Sequence, residues 1–336
     1  MKQPSSARPL LLPLVPAYRL ALALRQMRLE RGWEPVRRLR WPVLSVGNLS
    51  TGGAGKTPLT IALARLLGSR GFHVDVLSRG YGRQSRAATR VDAAGTAEAF
   101  GDEPLLIARE AGVPVYVAPQ RHQAGHLAEE EAPGAGRAVH ILDDGFQHRQ
   151  LHRDVDILLL NRADWQDSLL PAGNLREGLQ AAKRAGVIAI SASEPELETE
   201  LRAWGWQGPV WKLRRHMEVP AIDGPVAAFC GIARPEQFFQ GLEAEGLQLA
   251  VRTAYPDHHR YTAADLERLL AAARAAGATA LLTTQKDEVR MGGLAAAFSG
   301  SLPLRVVRLR TEIEDEATVL DGLMERLAAV PAPPPL

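Results

Sequence analysis

The run Val46-Gly47-Asn48-Leu49-Ser50-Thr51-Gly52-Gly53-Ala54-Gly55-Lys56-Thr57 carries the residue types that grip a phosphate chain. Its glycines let the backbone curl so that successive amides face one anion. A helix starting near Thr57 adds the positive end of its dipole. Lys56 has the reach for β- and γ-phosphates and the Thr57 hydroxyl is a Mg²⁺ ligand, so Ser50, Thr51, Gly52, Gly53, Ala54, Gly55, Lys56 and Thr57 are expected to hold the nucleotide. The strict pattern has glycine where this chain has Ser50. Pro58 is compatible, because first-turn amides have no partner within a helix. Such a loop needs a second Mg²⁺ anchor at the end of a neighbouring strand. His140-Ile141-Leu142-Asp143-Asp144-Gly145 supplies two carboxylates after an apolar run, so Asp143 and Asp144 are expected to hold metal. The cofactors implied are ATP and Mg²⁺.

Around these groups the chain alternates. Residues 42–46 read as a short buried strand, 57–68 as a helix with Leu59, Leu63, Leu66 and Leu67 at helical spacing, and 73–77 as the next strand. Helices are expected over 102–110 and 121–131, and strands over 115–117, 139–143, 155–160 and 187–190. Trp, Pro and Gly crowd 204–225 and break the rhythm, which predicts a linker at 206–225. Alternation resumes with strands at 226–229, 247–251, 280–283 and 304–309 and helices at 235–242, 263–276 and 317–328. The fold expected is α/β of the P-loop NTPase type: a parallel sheet with helices on both faces over residues 33–205, then a second, smaller lobe over 226–336. The Pro-rich 331–336 are expected to fray.

Composition narrows the function. At 46% hydrophobic residues, the 336-residue chain can bury sizeable cores, and a formal net charge of +2 supplies no basic field for nucleic acid. Residues 1–40 hold nine Lys or Arg and two acids, a net +7, which leaves −5 for the rest. Residues 10–24 are apolar apart from Arg19, but Pro13 and Pro16 interrupt a run already too short to span a membrane, and no signal-peptide cleavage site follows. Two readings remain for residues 1–32: a helix lying in a membrane interface, or one packed on the protein itself. Leu20, Leu24 and Met27 share a face, which Arg31 continues. The single cysteine, Cys230, excludes an intrachain disulfide and reads as a buried structural thiol. No obligate protein partner is evident.

Further strings are Ser78-Arg79-Gly80-Tyr81-Gly82-Arg83, Gly101-Asp102-Glu103-Pro104, Asp143-Asp144-Gly145-Phe146-Gln147-His148, Leu170-Pro171-Ala172-Gly173-Asn174-Leu175-Arg176-Glu177, Phe229-Cys230-Gly231-Ile232-Ala233, Pro256-Asp257-His258-His259 and Thr283-Thr284-Gln285-Lys286-Asp287. With the glycine-rich loop, and in this order, they closely resemble the tetraacyldisaccharide 4'-kinases, the lipid A 4'-kinases of Gram-negative bacteria. The resemblance implies transfer of the ATP γ-phosphoryl group to the 4'-hydroxyl of a tetraacylated glucosamine disaccharide 1-phosphate, by a monotopic enzyme on the cytoplasmic face of the inner membrane. It also implies two α/β/α lobes joined by a β-stranded linker. The family's proposed base falls on Asp102 and its partner on His258, with His259 beside it as the alternative. A carboxylate in reach of a sugar hydroxyl can accept its proton, and a histidine can orient that carboxylate. Since the two residues belong to different lobes, their pairing is expected on lobe closure. Read locally, Asp102 followed by Glu103 and Pro104 is a helix N-cap, and His258 an ordinary loop residue.

By resemblance Arg176 and Glu177 lie near phosphate and metal, the arginine stabilising charge and the carboxylate holding a metal-bound water. Arg79, Tyr81 and Arg83 follow the carboxyl end of the second strand, where ligands gather in such sheets, and with Arg121 are candidates for the substrate 1-phosphate. Gln147 and His148 are expected to support the acidic pair beside the acceptor. Lys286-Asp287 reads as lobe packing or an adenine-side feature. One rival is a P-loop ATPase or GTPase of the metal-chaperone or partitioning type, although Thr51 stands where the partitioning group has lysine. A second is a nucleotide-sensing scaffold at the membrane.

Overall fold

A computed structural model of the chain describes residues 8–53, 55–299 and 302–329. Ala54 of the glycine-rich loop and the Pro-rich 331–336 lie outside the described residues. After a 3-10 turn (Pro9–Leu14) come α1 (Val15–Glu30), β1 (Val43–Asn48), α2 (Lys56–Ser69), β2 (His73–Ser78), β3 (Thr89–Arg90), α3 (Ala97–Phe100), α4 (Asp102–Ala111), β4 (Val115–Val117), α5 (Arg121–Glu131), β5 (Ala138–Asp143), β6 (Val155–Leu159), α6 (Arg162–Trp165), β7 (Val187–Ser191) and α7 (Glu196–Ala203). Then follow β8 (Val210–Glu218), β9 (Val226–Cys230), α8 (Pro235–Ala244), β10 (Leu249–Ala254), α9 (Ala263–Ala275), β11 (Ala280–Thr284), α10 (Gln285–Met291), β12 (Leu304–Ile313) and α11 (Glu316–Ala328).

Among the described residues twelve strands make one sheet, in the order β10-β9-β11-β12-β8-β7-β6-β1-β5-β2-β4-β3. Neighbours run parallel except where β3 edges β4 and where β12 meets β8. The stretch read as a linker thus holds β8, parallel to β7 and antiparallel to β12, with Leu213 opposite Ile313 and Glu218 opposite Arg308. Only Trp211 and Leu213 of this strand are buried, and the exposed Arg214-Arg215-His216 obscures any period-two pattern.

Strand β1 lies between β5 and β6, with Val46 opposite Asp143. This register brings the start of the glycine-rich loop level with the first carboxylate of the acidic pair. Helix α2 rests on β1, β2 and β5. Its Leu59, Leu63 and Leu67 are all fully buried, each worth about 1.5–3 kcal/mol of burial. Residues alternate across β9: Ala227 and Phe229 pack with α9, whereas Val226, Ala228 and Cys230 pack with α8. Cys230 is fully buried, and burial, with Asp287 nearby, pushes its thiol up to about 12, so it is inert.

Candidate active site

Strand β1 ends in Asn48, a fully buried residue whose polar contacts organise the loop beyond it. Its Nδ2 donates to Ser50 Oγ at 3.0 Å, and its Oδ1 accepts from Lys56 Nζ at 2.9 Å and Arg176 at 2.6 Å. Its backbone carbonyl accepts from Gln147 Nε2 at 2.9 Å. Ser50 therefore stands in the first glycine's place with its hydroxyl already engaged. The loop is laced to residues 174–176 by Thr51 N–H to Asn174 O at 2.8 Å and Arg176 N–H to Leu49 O at 2.7 Å. Gly55 has φ +93°, and a Cβ there would lie 2.9 Å from a guanidinium nitrogen of Arg215, on β8. A glycine is needed on both counts.

Lys56 opens α2 and also lies 3.6 Å from Asp144. Arg176 grips Asp144 with two parallel bonds, at 3.0 and 2.9 Å. Asp144 itself has φ +50°, a conformation that aspartate tolerates better than most residues. Burial works to raise Asp144, but Lys56 and Arg176 outweigh it and hold the carboxyl below its usual range. Asp143 behaves oppositely. Burial pushes it up to about 6, helped by Asp144 and Glu103 and only partly offset by Lys56 and Lys286, while Thr60 Oγ1 donates to it at 3.3 Å.

This donor set fits Mg²⁺. One carboxylate is ionised and its neighbour is pushed toward protonation by burial and then by like charge, so a divalent cation would replace a proton at little cost. Among the described residues no three His, Cys, Asp or Glu side chains converge on one point, so nucleotide phosphates and water must complete such a shell. Thr57 is buried beside them. Glu177 is engaged through one oxygen by Arg184 at 2.7 Å, while its other oxygen is buried without a partner. That orphaned acceptor suits a metal-bound water.

The second cluster starts at α4. Its N-cap is Gly101, not Asp102: Gly101 sits at φ +93°, ψ 153°, and a Cβ there would come within 2.9 Å of the Tyr81 carbonyl. The local reading of Asp102 as a cap therefore fails. Asp102 is the first helical residue, and its side chain turns outward to His258 Nδ1 at 3.0 Å and Arg290 Nε at 2.6 Å. The pair expected to form on closure is already assembled here. Burial alone would raise Asp102, but the hydrogen bonds from His258 and Arg290 hold it below the usual carboxylate range. His258 is raised, chiefly by that same hydrogen bond, against burial and the Arg290 charge. His259 faces elsewhere: it stacks on Tyr255 with ring centroids 4.4 Å apart and meets Asp265, the capping-box residue of α9, at 3.1 Å.

Beside Asp102, Lys286 donates to Glu103 at 2.9 Å, so Lys286 serves packing between the two halves of the sheet. The two clusters share one electrostatic neighbourhood, since Glu103 and Lys286 both bear on Asp143. Arg121, at the start of α5, is buried with its Nε unpartnered. Burial and the neighbouring Arg79 lower its pKa to about 10, against the pull of Asp144 and Asp143.

The remaining candidates divide. Tyr81 is 71% exposed, with its ring 6.4 Å from that of His258. Arg83 folds back over Gly80 and donates to Ala87 O at 2.8 Å, so its charge closes its own loop. Gln147 supports Asn48 rather than the acidic pair. His148 has a buried, unpartnered Nε2, and burial with Arg121 and Arg153 lowers it to about 3, so it stays neutral. Helix α1 reaches the same region: Tyr18 donates to Arg176 O at 2.9 Å and Arg25 to Gln147 O at 2.7 Å. Sequence reasoning missed Asn48 and Arg290. A polar residue ending a buried strand was the signal for the first, and an arginine three residues after Asp287 for the second.

A mostly parallel sheet, a glycine-rich loop feeding a helix, and a lysine and an acidic pair beside it define a P-loop nucleotide enzyme. Residues 7–328 match the family model described as tetraacyldisaccharide-1-P 4'-kinase. The tetraacyldisaccharide 4'-kinase of Koribacter versatilis is 40% identical over 324 residues, covering 93% of this chain and 97% of that protein. The one from Anaeromyxobacter sp. strain K is 42% identical over 355 residues, covering 97% and 92%. A solved structure of the "apo" form of LpxK from Aquifex aeolicus in complex with ATP is 32% identical, with a TM-score of 0.75 over 95% of this chain and 99% of that one. The chain belongs to the tetraacyldisaccharide 4'-kinase family, whose members are ATP-dependent kinases. The metal-chaperone or partitioning alternative is not favoured.

Proposed function

We propose that this chain transfers the γ-phosphoryl group of ATP to the 4'-hydroxyl of a tetraacyl glucosamine disaccharide 1-phosphate. The observation that carries the acceptor half of this reading is the 3.0 Å contact between Asp102 and His258, beside the Glu103–Lys286 pair whose charges reach Asp143. Bound Mg-ATP supplies the phosphoryl group and neutralises charge on it. Lys56 and Arg176, both leaning on Asn48 and Asp144, are poised to hold phosphate oxygens, with Ser50 to Thr57 enclosing them. Thr57, Asp143, Asp144 and Glu177 hold the metal side. Asp102 accepts the hydroxyl proton, and His258 orients the carboxylate and shares that proton. Arg79 and Arg121, a pair of guanidinium groups close enough to depress Arg121, suit the acceptor's 1-phosphate. Tyr81, exposed beside His258, suits a sugar face. Residues 33–205 and 226–336 act as two lobes hinged about β8.

The same reading takes residues 1–32 as a membrane-interface anchor at the cytoplasmic face of the inner membrane. No helix among the described residues is long and apolar enough to cross a membrane. Helix α1 packs Val15, Tyr18 and Leu22 onto the protein and leaves Leu20, Leu24 and Met27 exposed, continuing Leu10, Leu12 and Leu14 of the preceding turn. An apolar face among arginines suits anionic headgroups.

The test is phosphate transfer from labelled Mg-ATP to the acylated disaccharide by the full-length chain in mixed micelles. Acceptor phosphorylation with little ATP turnover in its absence is expected. Equal ATP hydrolysis with and without the acceptor, and no labelled lipid, would sink the proposal.

A further inference from the structure

We infer that Arg290 is the positioning residue that aligns Asp102 and His258, an inference that rests on the reading of Asp102 as proton acceptor. Its side chain is 3% exposed, and its guanidinium is divided three ways. Nε donates to Asp102 Oδ2 at 2.6 Å, and NH2 lies 3.2 Å from His258 Nδ1. NH1 donates to the Gly231 carbonyl and, at 3.3 Å, to Asp287 Oδ1.

The last two contacts fix the guanidinium to its own half of the sheet. Asp287 is fully buried and itself immobilised: it accepts from Gly231 N–H at 3.0 Å and from Thr284 Oγ1, the N-cap of α10, at 2.6 Å. A chain of bonds thus runs from the start of α10 through Asp287 to Arg290, and from there across to Asp102 on α4. Among the described residues no other hydrogen bond joins Asp102 to α10. Lys286 holds Glu103 at one point, which does not fix the rotation of the neighbouring carboxylate. His258 sits in a loop at φ +62° with its side chain 47% exposed, so it needs a partner as much as Asp102 does. A planar fork sets both distance and orientation, which a point charge cannot.

The fork also biases the proton. Arginine only donates. At His258 Nδ1 a bound proton donates to Asp102, while the neighbouring guanidinium charge opposes a second positive charge on the ring. Arg290 therefore weights the pair toward ionised Asp102 beside a neutral ring, and ionised Asp102 is the form able to take a hydroxyl proton.

The experiment compares Arg290→Gln, Arg290→Lys, Asp102→Asn and the Asp102→Asn/Arg290→Gln double variant by acceptor phosphorylation across pH. For Arg290→Gln, kcat should fall about 10²-fold from misalignment with KM for ATP unchanged. The acidic limb of its kcat profile should move up by about one unit, because losing the cation raises the carboxyl. Arg290→Lys keeps the charge without the fork, so it should recover most of the limb but only part of the rate. In the Asp102→Asn background, removing Arg290 should slow the enzyme no further. The inference is overturned by an Arg290→Gln enzyme with the parent's rate and acidic limb, or by a double variant slowed as much as Arg290→Gln slows the parent. Should Arg290→Gln fail to fold, Arg290→Lys decides: a rate and profile equal to the parent's overturn the inference, and a reduced rate with a nearly unmoved limb supports it. An Asp102→Asn enzyme at full rate would instead remove the underlying reading, and the two failures are told apart.

Discussion

The nucleotide-facing cluster and the α4–α10 seam both bring charged groups together near Asp143, yet they are built in opposite ways. Asn48, Lys56, Asp144 and Arg176 all come from the first half of the sheet and lean on one another and on a buried amide. At the seam the acids stand on one side and the bases on the other. Asp102, Glu103 and Glu110 of α4 meet Arg290 and Lys286 of α10 and Arg308 and Arg310 of β12. A phosphate grip can be prebuilt within one half, because its target is a fixed shape. On the proposed reading, acceptor chemistry depends on the registration of two halves, so it should be sensitive to contacts distant from the reacting atoms.

The comparison breaks most sharply at its two centres. Lys56→Ala should lower transfer by about 10³-fold or more, as expected for loss of a charge-stabilising group, and should weaken ATP binding. Asp102→Ala should lower transfer by about 10²–10⁴-fold while leaving ATP affinity as it is. Equal damage to ATP binding in both, read by equilibrium titration, would erase the distinction between the clusters.

Smaller perturbations sharpen it. Leu20→Ser, Leu24→Ser and Met27→Ser together should reduce binding to anionic vesicles by about tenfold or more, with turnover of a micellar acceptor little changed; unaltered sedimentation with vesicles would show that α1 is not the anchor. Glu103→Lys sets two cations face to face at the seam. A partly buried pair of this kind is worth about 1 kcal/mol, hence a severalfold loss of kcat, which Lys286→Glu in the same chain should restore. No restoration would mean that the pair does not register the halves.

The smallest effect is on stability. The folded Asp143 carboxyl, at about 6, lies above its unfolded value, so the native state holds the extra proton and stability falls as pH rises through that window. Asp143→Asn should abolish that slope and raise the Tm by a few degrees above pH 6 without Mg-ATP, while transfer is lost. An unchanged pH dependence of Tm would show that Asp143 carries no such burden.

Much of this was legible from residue order alone. The helix expected at 121–131 and the strand at 115–117 are found within those bounds, and the acidic pair stands at the end of a strand flanking β1. These elements announce themselves through periodicity over their own length. What was hidden was short or non-local. Helix α10 has seven residues, too few for a helical stripe, and begins directly where β11 ends. Strand β8, expected only through the family resemblance, buries few of its side chains. Local sequence does not separate His258 from His259, and only the family resemblance points to His258; the capping box of α9, with Tyr255 stacked alongside, is what diverts His259.

The sequence by itself determined the phosphate loop, the acidic pair and the alternation that frames them, because their chemistry depends on neighbours a few positions away and on backbone preferences each residue carries with it. Tertiary structure alone decided how His259 is held away from Asp102, that Arg290 contacts both Asp102 and His258, and that Asp143 rather than Asp144 is driven toward protonation. The histidine pairing and the place of Arg290 depend on groups more than a hundred residues apart in the chain, brought within hydrogen-bond range only when both halves of the sheet are in place, whereas the Asp143 shift depends first on burial and then on nearby charges.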